Sequence, residues 1–252
     1  MTFLRKIWWD ALSSKAFEIS MQVENLNKSA SGDFNLALKL SNDEPALDES
    51  EYSSLSFTYD DTAKTAKVSS NASNLPSGEL IIPGKVMHNG EEYTITSLSN
   101  YAFELCSLTS ATLPSSVTKI GEYPFDICQS LESVNIPSAV TDIGRSAFYM
   151  CSSLKSINIP TGVTMINAST FGDCTSLTSI IIHSKIGYIG EYAFSNAGLT
   201  SATFETITGW TVTPGSGAEG SSVATPSIST TDLAANAKLL TDTYRLYTWT
   251  RA

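Results

Sequence analysis

The sequence predicts a repeat solenoid: a β-rich coil with a parallel sheet along one face, short helical or 3₁₀ turns, and a cap at each end. Three observations predict it. Phenylalanines recur at Phe103, Phe125, Phe148, Phe171 and Phe194, at spacings of 22, 23, 23 and 23. Cysteines keep step three residues later, at Cys106, Cys128, Cys151 and Cys174. Aliphatic columns hold the same register at Leu108, Leu131, Leu154, Leu177 and Leu199, then Val117, Val140, Val163 and Ile186, then Ile120, Ile143, Ile166 and Ile189. A fixed period in the low twenties marks stacked structural units.

Within one unit, Leu131 to Ile136 alternates as a short strand with its β-branched residues inward. Pro137 ends that strand because it has no N–H for a ladder bond. Val140 to Ile143 is a second extended piece that leads to Gly144, and Gly121 and Gly190 fall at the same place. Glycine there predicts a sharp corner with unusual backbone angles, for which Asn167 is the best non-glycine substitute. Ser146 to Cys151 is too short for a full helix and predicts one helical or 3₁₀ turn. A lone unit cannot bury Leu131, Val134, Ile136, Val140, Ile143, Phe148 and Cys151. Stacked units bury them in continuous columns, with strands about 4.8 Å apart in a parallel sheet.

The pattern Ile-Gly-x-x-Ala-Phe-x-x-Cys-x-x-Leu-x-x-Ile-x-Ile-Pro resembles the BspA-like (Treponema-type) leucine-rich repeats. Ile143-Gly144-Arg145-Ser146-Ala147-Phe148 and Ile189-Gly190-Glu191-Tyr192-Ala193-Phe194 match it closely. The repeats cover roughly half of the chain. Three departures stand out: Cys106 to Leu108 is one residue short, Ala197 replaces the last cysteine, and His183 replaces a strand-ending proline. The resemblance implies a leucine-rich repeat horseshoe and a surface or secreted protein.

In chain order, residues 1–32 read as a capping or docking segment. Trp8, Trp9, Leu12, Ala16 and Phe17 fit a helical face, while Phe17 to Val23 also alternates as a strand. An oligomerisation anchor is the sharper reading of the same segment. Residues 33–79 read as a β-rich N-terminal cap: a strand at Phe34–Leu40, an acidic solvated loop with Asp43, Glu44, Asp48, Glu49 and Glu51, then a hairpin of Leu55–Tyr59 and Ala63–Val68. The loop lacks the carboxylate spacing of a calcium loop. Residues 80–205 carry the repeats, opened by Leu80-Ile81-Ile82-Pro83 and a hairpin turning at Asn89-Gly90. Residues 206–252 read as the C-terminal cap, with a last strand at Gly209–Val212 and a loop from Pro214 to Thr230. A short helix then runs from Leu233 to Leu240, capped by Asp232, with Leu233, Ala237 and Leu240 on one face; a strand or docking tail ends at Trp249. Trp210 and Trp249 are read as cap-packing residues rather than as a sugar-binding pair.

Composition narrows the function. A net charge of −10 with no basic stripe argues against nucleic acid, whose phosphates require a basic face. No run is long enough for a membrane span, and Asp10 and Lys15 interrupt any apolar core of a signal peptide. The four cysteines lack the close pairing of zinc ligands and read as a column of buried thiols, so no metal and no cofactor are expected. His88 and His183 are the two histidines, no Gly-x-Ser-x-Gly or phosphate-cradling loop occurs, and no enzymatic activity is expected.

What remains is a surface. The residues flanking the middle apolar position of each strand should point to the open sheet face: Ser110 and Thr112, Ser133 and Asn135, Ser156 and Asn158, Ser179 and Ile181, Ser201 and Thr203. The serines also serve simply to solvate the sheet. Asn135, Asn158 and Ile181, which vary between units, are the better candidates for specificity. The expected function is a non-enzymatic binding or adhesion module presenting this face to a protein or glycan, at the cell surface or outside the cell. The alternative is a structural or receptor-binding component of a virion, fibre or surface assembly, docked or oligomerised through residues 1–32.

Overall fold

The computed structural model describes residues 46–215 and 223–252. The segment 1–32, the expected strand at Phe34–Leu40, the acidic residues Asp43 and Glu44, and part of the loop after Pro214 lie outside the described residues.

The described chain begins with a 3₁₀ turn, Glu49–Glu51, capped by the Asp48 carboxylate. Strands β1 (Leu55–Asp60) and β2 (Thr65–Ser70) form the expected antiparallel hairpin. Then come β3 (Ser77–Ile81), the hairpin β4 (Lys85–His88) and β5 (Glu91–Leu98), and β6 (Ser107–Thr112). Asn89 and Gly90 turn that hairpin with φ of 52° and 80°, the left-handed pair that an Asn-Gly turn supplies. The repeats continue through β7 (Lys119–Ile120), β8 (Ser133–Asn135), β9 (Asp142–Ile143), β10 (Met165–Ile166), β11 (Ser179–Ile182), β12 (Tyr188–Ile189) and β13 (Ser201–Phe204). The chain closes with β14 (Trp210–Pro214), helix α1 (Leu233–Lys238) and β15 (Tyr247–Arg251).

Each coil hydrogen-bonds to its neighbours along three sides, two more than a single sheet face would provide. On the first side β3, β6 and β8 pair in parallel, and farther along β11 pairs with β13. On the second, β2, β5, β7 and β9 form a parallel ladder, and β10 pairs with β12. On the third the chain is a run of turns, where the N–H groups of Phe103, Phe125, Phe148 and Phe171 donate to carbonyls of the next coil at 2.7–3.1 Å. These are turns rather than the helical or 3₁₀ turn expected there. The reason is geometric: in every coil the residues two before and two after the Phe are left-handed. The pairs are Tyr101 and Leu105, Tyr123 and Ile127, Ser146 and Met150, Ser169 and Asp173, Tyr192 and Asn196. Left-handed backbone at a non-glycine residue costs about 1–2 kcal/mol, and it turns alternate N–H groups outward to the next coil.

Inside, the columns stack in register. The five repeat phenylalanines are 0–1% exposed, and successive rings lie 5.4–5.6 Å apart. The thiols of Cys128, Cys151 and Cys174 donate at 3.0–3.1 Å to the carbonyls of Phe103, Phe125 and Phe148, one coil earlier. All four cysteines are free and buried. Burial pushes the Cys106 thiol up to about 11 and those of Cys128 and Cys174 up to about 12, so the column stays protonated at neutral pH.

Gly121, Gly144 and Gly190 do not adopt the left-handed backbone that the corner was expected to need. Their requirement is close approach. A Cβ on Gly144 would lie 2.3 Å from the carbonyl oxygen of Gly121, and one on Gly190 would lie 2.5 Å from the nitrogen of Ala168. Asparagine serves this column differently: Asn167 donates its amide to the Ile143 carbonyl at 2.6 Å.

The C-terminal end is closed by packing and by hydrogen bonds. Strand β15 pairs antiparallel with β12 and with β14. Trp210 and Trp249 are 2% and 1% exposed and pack on Phe204, which makes them core of the cap, as expected. The helix differs from expectation. It is α-helical to Lys238 and widens into a π-helical turn over Leu239–Thr243, and Leu233 is only half-buried. Its buried face instead carries Asn236, fully enclosed, which donates to the Ala202 carbonyl at 3.0 Å and the Ser229 carbonyl at 2.8 Å and accepts from the Ser229 N–H. Asn236 thereby satisfies a carbonyl on the last repeat strand, whose free edge would otherwise template another chain.

Candidate functional site

The open side of the β3–β6–β8 sheet and of its continuation, β11–β13, is the candidate binding face. Alternation within each strand decides which side chains reach it. In β8, Val134 is buried between exposed Ser133 and Asn135; in β11, Ile180 and Ile182 are buried on either side of exposed Ile181. Ladder pairing then sets these residues side by side. Ser110 is opposite Ser133 and Thr112 opposite Asn135; Ser179 is opposite Ser201 and Ile181 opposite Thr203. Ser156 and Asn158 are exposed on the intervening coil, between buried Leu154 and Ile159, although no strand forms there. In that coil Lys155 N–H still donates to the Glu132 carbonyl at 3.1 Å.

Two residues extend the face beyond those expected from the sequence. Glu79 pairs with Ser110 and Ile81 with Thr112 in the β3–β6 ladder. Ile81 is 51% exposed and Ile181 58%, so the Thr112–Asn135 column begins and resumes with an apolar side chain. A signal for Ile81 was present: in Leu80-Ile81-Ile82 the middle residue of three apolar ones must face outward when the outer two face in. Apart from Glu79 the two columns carry no charge. The nearest ion pair, Lys155 with Glu132, bridges neighbouring coils at the start of the strand and is exposed, which limits its worth to about 1 kcal/mol or less.

The histidines stand away from this face, in structural settings. His88 stacks on Tyr59 at 4.0 Å, its Nδ1 is 2.7 Å from Glu49, and its Nε2 is 2.9 Å from the Asn89 amide. Tyr59 also donates to Glu49 at 2.8 Å, and these two hydrogen bonds, that of Tyr59 first, hold the Glu49 carboxyl below its usual range. The cluster ties the 3₁₀ turn to the hairpins. His183 is buried in the proline column, with Nε2 3.2 Å from the Pro160 carbonyl and Nδ1 accepting from Lys185 N–H. It replaces the missing proline by a hydrogen bond to the previous coil. Among the described residues no group of three or more His, Cys, Asp or Glu side chains is arranged to hold a metal ion, and no helix is long and apolar enough to cross a membrane.

Comparison with known proteins adds the following. Residues 96–210 match the model of the BspA type leucine rich repeat region, in six copies. Among solved structures, the leucine rich repeat protein of T. pallidum is 25% identical over 59% of this chain and 68% of its own length, with a TM-score of 0.53. A leucine rich cell surface protein from Faecalibacterium prausnitzii A2-165 is 26% identical over 62% of this chain and 54% of its own length, with a TM-score of 0.46. A leucine-rich repeat protein from Bacteroides capillosus is 25% identical over 61% of this chain and 96% of its own, with a TM-score of 0.41. None of the curated proteins matches.

Proposed function

Because residues 96–210 belong to the BspA type of leucine-rich repeat, we propose that this chain is a non-enzymatic binding module that presents its sheet face to a protein or glycan outside the cell. Leucine-rich repeats suggest a protein-binding role, since stacked coils offer an extended surface that no single loop provides. The observation that carries the reading is the pair of outward columns, held in register by the ladders and interrupted by exposed Ile81 and Ile181. A rigid, nearly uncharged face of hydroxyls and amides with apolar anchors suits polar contacts that exclude water around a few buried side chains.

The test is an array of proteins and glycans probed with the whole chain, followed by titration of the strongest hit against variants. Asn135→Ala with Asn158→Ala, and separately Ile181→Glu, should each weaken that interaction at least tenfold with an unchanged circular-dichroism spectrum. Equal affinity in all three proteins would remove the sheet face from the binding surface.

A further inference from the structure

On the turn side, away from the sheet face, side-chain size changes along two columns. Two residues before the five repeat phenylalanines stand Tyr101, Tyr123, Ser146, Ser169 and Tyr192, with the two small residues between large ones. One residue after each Phe stand Glu104, Asp126, Tyr149, Gly172 and Ser195. The small residues leave an open cleft of about 380 Å³, bounded by Tyr123 and Tyr192 and also lined by Asp126, Tyr149 and Asp173. Tyr149 lies over Gly172, where an added Cβ would come within 3.0 Å of its ring, so glycine there lets the ring lie flat along the cleft.

One group in this cleft is left incomplete. Asp126 is 7% exposed, and its Oδ1 is a buried oxygen without a hydrogen-bond partner, the sole such side-chain atom among the described residues. A buried acceptor left unmatched costs about 1–3 kcal/mol. Asp173 completes an acidic pair; it accepts from the Asn196 amide at 3.0 Å, and its charge, after burial, holds the Tyr149 hydroxyl above its usual range. The cleft is far larger than a bare ion, and aromatic rings form its walls. The chain already shows what such a ring accepts: the Arg145 guanidinium lies over Tyr123, 5.5 Å from the ring centroid, and the same ring stacks on Tyr101 at 4.8 Å, which leaves Tyr149 for an arriving group.

We infer that this cleft is a second binding site, which takes an arginine side chain of a partner polypeptide, its guanidinium pairing with the Asp126 carboxylate and stacking on the Tyr149 ring. A guanidinium fits because it is planar, donates in a fixed fork to carboxylates, and stacks on aromatic faces; an ammonium lacks the plane. Burial, with the charge of Glu104 nearby, holds the Asp126 carboxyl above its usual range. An arriving cation opposes the Glu104 charge and favours the ionised Asp126 carboxylate.

The experiment titrates the full chain with acetyl-Gly-Arg-Gly-amide and with its neutral citrulline and cationic lysine counterparts, followed by amide NMR shifts. Saturable binding of the arginine peptide is expected, at least tenfold tighter than either counterpart. Asp126→Asn, isosteric and uncharged, should weaken it at least tenfold, and Asp173→Asn at least threefold. Asn135→Ala with Asn158→Ala should leave it unchanged, which separates this site from the sheet face. Equal binding of the citrulline or lysine peptide, undiminished binding by Asp126→Asn and Asp173→Asn, or no saturable arginine binding would overturn the assignment.

Discussion

Phe148→Ala is expected to cost about 3–5 kcal/mol of folding stability, the range for truncating a fully buried aromatic in a core that cannot collapse around the gap. Phe148 has no exposed surface and stacks on two rings, Phe125 at 5.5 Å and Phe171 at 5.6 Å. Backbone bonds between coils fix the spacing on either side, because Phe148 N–H donates to the Thr170 carbonyl and Phe125 N–H donates to the Ala147 carbonyl. The vacated volume therefore stays open. Phe194 provides the control, since among the repeat phenylalanines it stacks on Phe171 alone. Urea unfolding should give a smaller loss for Phe194→Ala than for Phe148→Ala. Equal losses would mean that the rings act singly rather than as a stack.

Gly144→Ala should be comparably damaging, at about 3 kcal/mol, the upper end of the range for overpacking. The added Cβ would meet backbone at 2.3, 2.6 and 2.7 Å, and none of those atoms belongs to a side chain that could rotate away. Coils would have to separate, and separation weakens the β7–β9 ladder beside the glycine. Gly187 supplies the contrast: a Cβ there meets nothing within 4 Å, and its backbone is outside the left-handed region. Gly187→Ala should be neutral or stabilising by about 0.4–1 kcal/mol through the unfolded chain. Thermal melts of the two variants would check both signs together.

The inward columns were legible because burial repeats with the chain's own period: each Phe, Cys, Leu, Val and Ile of a unit occupies the same place in every coil. The same alternation placed Asn135, Ile181 and their neighbours on the outer face. Other features leave weaker traces. The left-handed pairs fall on Tyr123, Ile127 and Met150 rather than on glycine, because bonds to the next coil impose the conformation whatever the residue. Gly144 suggested a turn, yet the cause lies in the adjacent coil, which a single unit does not show. Asn236 looks like a surface helix residue until the free edge of β13 is set beside it. Asp126 likewise reads as one more acidic residue, and only the stacking of four coils encloses it.

The central claim is that successive coils lie directly on one another, and engineered cross-linking tests it most directly. Ser110 and Ser133 are ladder partners on adjacent strands, about 4.8 Å apart and within the span a disulfide bridges. The native thiols are buried and stay protonated, so they take no part under mild oxidation. Ser110→Cys with Ser133→Cys should close a disulfide, detected by mass spectrometry as tryptic peptides joined across the Lys119 cleavage site. Ser110→Cys with Asn135→Cys, two residues out of register, should stay reduced. A bond in the second pair and none in the first would contradict the stacking on which the whole account rests.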